Sequence, residues 1–128
     1  MLQIKLVSVM VEDQAKALAF YTDILGFKTV MDFPVGEFRW ITVGAPGRED
    51  LQLALEPNQN PAGKTFQQAL LAQGIPATAF ESTDLDADHA RLTAAGVAFT
   101  MPPTAAGAVR IAVFSDTVGN LIQIYQPI

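Results

Sequence analysis

The stretch SDTVGNLIQIYQP, from Ser115 to Pro127, combines a turn with a strand that is apolar except at one central position. Turn-forming residues occupy 116–120, and 121–125 has the β-branched and aromatic composition of a buried strand. The exception is Gln123. Because a buried amide needs hydrogen-bond partners, Gln123 marks either a polar pair inside the protein or a contact with a ligand.

The order of elements that ends in this strand occurs twice in the chain. A strand at 4–11 is followed by a helical pattern that opens at Asp13 and ends near Gly26, and then by strands at 28–33, 38–43 and 50–55. The second half repeats the order, and one constant shift along the chain brings Asp13 onto Asp84, Arg39 onto Arg110 and Gln52 onto Gln123. The repeat predicts an α+β fold of two tandem βαβββ modules.

The boundaries follow from composition. Module one covers 1–57, module two covers 76–128, and a connecting segment at 58–75 is rich in Pro, Asn and Gly at its ends. Its middle, 65–73, is predicted to form a short helix. Phe66, Leu70 and Leu71 indicate that this segment packs against the rest of the chain.

Composition excludes several classes of function. The chain has 128 residues, a net charge of −5 and no basic stripe, which argues against nucleic acid and anionic membranes as partners. It has no cysteine, so disulfides, thiolate metal sites and cysteine nucleophiles are excluded. The N-terminus reads as a first strand without a targeting signal, so a cytoplasmic protein is expected.

Two segments resemble a known superfamily. The opening VSVMVEDQAKALAFYTDILGF and the closing VFSDTVGNLIQIYQP are similar to the vicinal oxygen chelate (glyoxalase, bleomycin resistance, dioxygenase) proteins, whose closing pattern is F-x-D-P-x-G-N-x-x-E-L. The resemblance implies that the two modules form an open, cup-shaped mixed sheet with helices packed outside. It also implies a ligand bound in the cup and, in many members, a homodimer.

The resemblance identifies the positions at which metal-dependent members carry their ligands. A histidine on the first strand and a glutamate on the fourth strand of each module are replaced here by Leu6, Gln52, Ala77 and Gln123. Leucine and alanine have no donor atom, and two neutral amides hold a divalent metal poorly. No metal or other cofactor is therefore expected, and catalytic residues remain unassigned.

Strand alternation predicts which side chains line the cup. The expected lining is mixed aliphatic and polar, which suits a small, partly apolar or aromatic molecule held by a few hydrogen bonds. The predicted lining residues are Leu6, Ser8, Met10, Trp40, Gln52, Ala54, Ala77, Glu81, Gln123 and Tyr125.

Each assignment has an alternative. Gln52 and Gln123 would either contact a ligand or satisfy one another, and Trp40 would stack on a planar ligand or fill the core. Arg39 and Arg110 would clamp an anion or lie on outward strand faces. The main hypothesis is a metal-independent small-molecule-binding protein. The rival is an enzyme of the same superfamily, a lyase, isomerase or dioxygenase relative, that uses a carboxylate such as Glu81 or a relocated metal. A third alternative is an accessory or interaction module whose cup is vestigial.

Overall fold

The computed structural model describes all 128 residues and divides into two compact units, Met1–Thr65 and Phe66–Ile128. The first unit contains β1 (Leu6–Val11), α1 (Gln14–Ala19), β2 (Lys28–Val35), β3 (Phe38–Ala45) and β4 (Arg48–Pro57). Helix α2 (Pro61–Ala72) follows. The second unit contains β5 (Thr78–Glu81), α3 (Leu85–Ala94), β6 (Phe99–Ala106), β7 (Val109–Ser115) and β8 (Leu121–Pro127).

The predicted α+β fold of tandem βαβββ modules is confirmed. The first sheet has the strand order β1-β4-β3-β2 and the second has β5-β8-β7-β6. In each sheet the first and fourth strands are parallel and the remaining pairs are antiparallel. None of the helices is both long and apolar enough to cross a membrane.

Both module helices begin where the sequence predicts. Asp13 accepts a hydrogen bond from the Lys16 N–H, and Asp84 accepts one from the Ala87 N–H. These are N-caps, and each satisfies a backbone donor that the first turn leaves unpaired. Helix α1 continues into a π-helical turn, Phe20–Ile24, and Gly26 then adopts the positive φ of +89° that favours glycine.

Each sheet buries the face that its module helix covers. In the first unit this face and the helix form a core whose fully buried members include Val11, Tyr21, Ile41, Val43 and Leu55. In the second unit the corresponding core includes Leu85, Phe114 and Ile122. We call the other face of each sheet, which is turned away from α1 or α3, the distal face.

The side chain of Gln14, the first residue of α1, connects β3 and β4 beyond the point where their ladder ends. The ladder between β3 and β4 includes Thr42 opposite Ala54 but does not extend to Arg39. There the Gln14 amide donates to the carbonyls of Arg39 (2.6 Å) and Leu55 (2.8 Å), and its oxygen accepts from the Arg39 N–H (3.0 Å). The side chain thus takes the place of missing ladder bonds.

The turn before β8 is organised by the buried Asp116. Its carboxylate accepts hydrogen bonds from the backbone N–H of Val118 (3.0 Å) and Asn120 (2.9 Å) and from Asn120 Nδ2 (2.8 Å). Thr117 has a φ of +65°. Since the proline ring fixes φ near −65°, this turn excludes the proline that the superfamily pattern has at this position.

Helix α2 packs through a residue that the sequence did not single out. Phe66 and Leu71 are exposed at 63% and 42%, so of the three apolar residues only Leu70, which is half-buried, contributes to packing. Gln67 is buried instead and donates from Nε2 to Asn120 Oδ1 (3.2 Å) and to the Val118 carbonyl (3.4 Å). Asn60 caps the helix by accepting from the Ala62 N–H, which explains why α2 begins before residue 65.

Candidate functional site

The distal face of the first sheet collects most of the candidate residues from that module. Leu6 lies opposite Gln52 and Ser8 lies opposite Ala54 in the parallel β1–β4 pair. Leu6 and Ser8 are exposed, Gln52 is half-buried and Ala54 is buried. The structure therefore brings these four side chains together on one face.

Met10 belongs to the same face, but its side chain is partly covered by α2. A methyl group added at Gly63, in the first turn of α2, would lie 2.7 Å from the Met10 Sδ atom. Gly63 therefore leaves room for the methionine side chain, which lies against the first turn of α2. No pattern in the sequence indicates this contact, because it depends on where the connecting segment returns to the sheet.

An aromatic group dominates the β2–β3 end of the distal face. Phe33 lies opposite Trp40, and Val35 lies opposite Phe38. Phe33, Val35 and Phe38 are exposed at 48%, 55% and 38%, and Trp40 is half-buried. We call Phe33, Phe38 and Trp40 the aromatic surface. Trp40 lies on the opposite face of β3 from Ile41 and Val43, so it is not part of the core that α1 covers.

Gln52 has a partner within its own sheet. The Thr42 hydroxyl, which is fully buried, donates a hydrogen bond of 2.7 Å to Gln52 Oε1. Thr42 was not among the predicted site residues. Strand alternation could have identified it, because Thr42 lies two residues from Trp40 and therefore on the same face.

The second sheet presents a different set of side chains on its distal face. Gln123 lies opposite Ala79 on β5 and opposite Val113 on β7, and Tyr125 lies opposite Glu81. Gln123 and Tyr125 are half-buried, and Glu81 is exposed at the end of its strand. Ala77 precedes β5, where its N–H donates to the Leu121 carbonyl.

The constant shift that relates the two modules does not hold in the last strand of the repeat. The shift does hold between the β2–β3 and β6–β7 hairpins, because it converts the pair Phe33–Trp40 into the pair Thr104–Ile111. In the fourth strands, however, Thr42 lies opposite Ala54, whereas Val113 lies opposite Gln123. The strand pairing therefore makes Ala54, not Gln52, the counterpart of Gln123.

The difference arises in the loops. The chain from Thr42 to Ala54 is two residues longer than the chain from Val113 to Gln123. Because side chains alternate with a period of two, this change moves a residue along the strand without turning it to the other face. Both amides thus stay on distal faces but occupy different levels of their sheets.

The two arginines of the repeat are engaged in ion pairs. Arg39 donates to both carboxylate oxygens of Asp32 (3.0 and 2.6 Å), and Arg110 does the same to Asp86 (2.9 and 3.0 Å). These hydrogen bonds from arginine lower the pKa of Asp32 and of Asp86 and raise the pKa of both guanidinium groups. The pairs favour the interpretation that neither arginine serves as an anion clamp.

The ion pairs predict a pH dependence of stability. A carboxyl whose folded-state pKa is lowered stabilises the fold above its unfolded pKa of about 3.9, and this contribution is lost as the pH falls towards the folded value. We expect the double variant D32N/D86N to melt at a lower temperature than the wild type at pH 7 and at the same temperature near pH 2. Thermal unfolding measures this difference. Asp23→Asn, at an exposed carboxylate, should show no such pattern, and a gap that persists at pH 2 would contradict the assignment.

The donors present do not fit the metal that the fold family implies. Leu6 has no ligand atom, and the Gln52 oxygen is bound to the Thr42 hydroxyl. On the second sheet Gln123 faces Ala79 and Val113, which also lack ligand atoms. No group of three or more His, Asp or Glu side chains lies close enough together to hold a metal ion.

Comparison with known proteins agrees with this architecture. The chain matches the family model "Glyoxalase/Bleomycin resistance protein/Dioxygenase superfamily" over residues 3–124. It is 48% identical over 126 residues to the uncharacterized protein YurT of Bacillus subtilis, covering 98% of this chain and 99% of that one.

Two solved structures have closely similar folds. The crystal structure of UcmS2 has a TM-score of 0.83 at 31% identity, with 98% of each chain covered. TnmS3, an antibiotic binding protein from Streptomyces sp. CB03234, has a TM-score of 0.80 at 33% identity, with 100% of this chain and 98% of that one covered. With the family match over nearly the whole length, these likenesses show that the chain belongs to the glyoxalase/bleomycin resistance protein/dioxygenase superfamily.

Proposed function

We propose that this protein binds a small, planar and partly apolar molecule on the distal face of its first sheet, without a metal ion. The observation that carries the proposal is the aromatic surface, where Phe33 is 48% exposed directly opposite Trp40. Large aromatic side chains stabilise a fold most when they are buried, so aromatic rings left on one face are available to a ligand.

The chemistry of the surroundings suits such a ligand. The aromatic surface offers stacking, and the Gln52 amide on the same face offers directional hydrogen bonding, which together resemble the composition of small-molecule sites. The similarity to TnmS3, whose name states that it binds an antibiotic, supports the same class of function.

The donor set supports binding without a metal. Removing the hydration shell of a divalent ion requires anionic or imidazole ligands, and the positions at which the superfamily pattern has them carry leucine, alanine and two amides. We expect the purified protein to contain less than one tenth of a metal ion per chain after dialysis, and EDTA to leave ligand affinity unchanged. Stoichiometric metal by elemental analysis would contradict this part of the proposal.

The proposal extends to assembly and location. Val7 and Leu51 are exposed apolar side chains on the same face of β1 and β4, and apolar surface of this kind is commonly buried in homodimers. We expect a cytoplasmic homodimer, for which sedimentation equilibrium should give about twice the chain mass.

The single tryptophan provides a test of the binding site. Trp40 is the only tryptophan in the chain, so its fluorescence reports on the aromatic surface alone. Titration with planar aromatic probes such as 2-acetylnaphthalene should change this fluorescence in a saturable way. Phe33→Ala should weaken binding about tenfold, because it removes the ring opposite Trp40. An aromatic contact between this ring and the ligand is worth about 1 kcal/mol, and the loss of buried area adds to it.

A matched variant separates a local effect from a general one. Phe66 is 63% exposed on α2 and is not part of the aromatic surface, so Phe66→Ala should leave the dissociation constant unchanged. Equal losses in the two variants, or no saturable signal with any planar aromatic probe, would refute the proposed site.

A further inference from the structure

The hydrogen bond between Thr42 and Gln52 determines which end of the Gln52 amide is available. A glutamine amide has one acceptor oxygen and an NH2 group with two donor hydrogens. Here the buried Thr42 hydroxyl donates to Oε1 at 2.7 Å, so the oxygen is held on the Thr42 side. Because the amide is planar, the NH2 group is turned away from Thr42.

We propose that Gln52 acts as a hydrogen-bond donor to the bound molecule and that Thr42 is the positioning residue that holds it in that role. The inference rests on the proposed function and makes it more specific. It assigns the ligand to planar aromatic compounds that carry an acceptor oxygen, such as a ketone, over hydrocarbons of the same shape.

The position of the donor relative to the aromatic surface sets a minimum length for the ligand. Thr42 and Trp40 are two residues apart on β3, which corresponds to about 7 Å along the strand. Phe33 lies opposite Trp40, and Gln52 is held by Thr42, so the rings and the NH2 group share one face. Because Thr42 lies opposite Ala54, Gln52 is reached only beyond Thr42 as seen from Trp40, so a molecule that contacts both the rings and the NH2 group must span more than this distance.

The second module lacks the positioning hydroxyl. Val113, which the shift between the modules matches to Thr42, lies opposite Gln123 and has no polar atom to orient that amide. The two glutamines therefore differ in more than their level in the sheet. Gln52 is fixed as a donor, whereas Gln123 can present either end of its amide to a partner.

Two probes that differ only in the acceptor test the inference. In 2-acetylnaphthalene a ketone oxygen takes the place of the two methylene hydrogens of 2-ethylnaphthalene. Isothermal titration should show that the wild type binds the ketone about fivefold more tightly, in keeping with one additional hydrogen bond. Gln52→Leu should abolish this preference.

The Thr42 variants distinguish a role in orienting the Gln52 amide from a role in supporting the fold only. Thr42→Val keeps the side-chain volume but removes the hydroxyl, so the amide can rotate. We expect the ketone preference to fall below about twofold while the affinity for 2-ethylnaphthalene stays the same. Thr42→Ser restores the hydroxyl and should restore the preference. Val113→Thr, the matched change in the second module, should leave it unaltered.

The results that would overturn the inference are distinguishable. If Thr42→Val weakens both probes equally, Thr42 supports the fold only and the positioning role is overturned. If the wild type binds both probes equally well, Gln52 is not a donor to the ligand, although the proposed binding function stands. If neither probe binds, the proposed function fails and the inference fails with it.

Discussion

Replacing Asp116 by alanine is expected to lower the free energy of unfolding by about 3 kcal/mol, measured by urea denaturation. The Asp116 side chain is fully buried and accepts three hydrogen bonds, two from backbone N–H groups and one from Asn120 Nδ2. Alanine leaves these donors without a partner in a place that water does not reach. The loss extends to α2, since Asn120 also accepts from Gln67.

Two further variants identify the cause of this effect. Asp116→Asn keeps one acceptor oxygen but places a second NH2 group against Asn120 Nδ2, so we expect it to lie between the wild type and the alanine variant. Asp84→Ala removes an exposed helix cap and should cost about 1 kcal/mol. If Asp116→Ala costs no more than Asp84→Ala, the turn is not held by the buried carboxylate.

The overall fold could be predicted because it depends on patterns that repeat along the chain. Helix caps at Asp13 and Asp84 are local signals, since each aspartate bonds to an N–H three residues later. The alternation of apolar and polar residues also predicts strand faces, because a side chain's face depends only on its parity. Neither kind of signal depends on loop length.

Register depends on loops and could not be predicted in the same way. A constant shift between the modules made Gln52 and Gln123 equivalent, but a shorter β7–β8 connection places Gln123 at the level of Ala54. A difference of two residues preserves the face and changes the partner. The sequence alone therefore predicted that both amides lie on distal faces and could not predict their neighbours.

Side-chain partners that come from distant elements were missed for a related reason. Thr42 and Gln52 are ten residues apart, and Gln14 is 41 residues from Leu55. Neither spacing carries a local signature, because the contact exists only after the strands are in register. The aromatic surface was found in part through Trp40, since an isolated tryptophan is conspicuous in a sequence, whereas Phe33 required the register of the hairpin.

Replacing Gln14 by alanine is expected to lower the free energy of unfolding by about 2 kcal/mol, because two backbone carbonyls and one N–H lose their partner. Gln14→Glu should be at least as harmful. A carboxylate can still accept from the Arg39 N–H, but it cannot donate to the carbonyls of Arg39 and Leu55, and its charge lies against their oxygen atoms. Chemical denaturation of both variants measures the two effects.

The ordering of these variants tests whether Gln14 substitutes for the missing β3–β4 ladder. Gln68→Ala, at an exposed glutamine on α2, should change stability by less than about 0.5 kcal/mol. Hydrogen exchange should also show faster exchange at the Arg39 amide in Gln14→Ala, because that N–H loses its acceptor, while the Val43 amide in the intact part of the sheet stays protected. Uniform exchange across β3 would mean that the variant destabilises the whole module and that the amide does not act locally, whereas selective exchange at Arg39 would show that one side chain closes a gap in the sheet beside the aromatic surface.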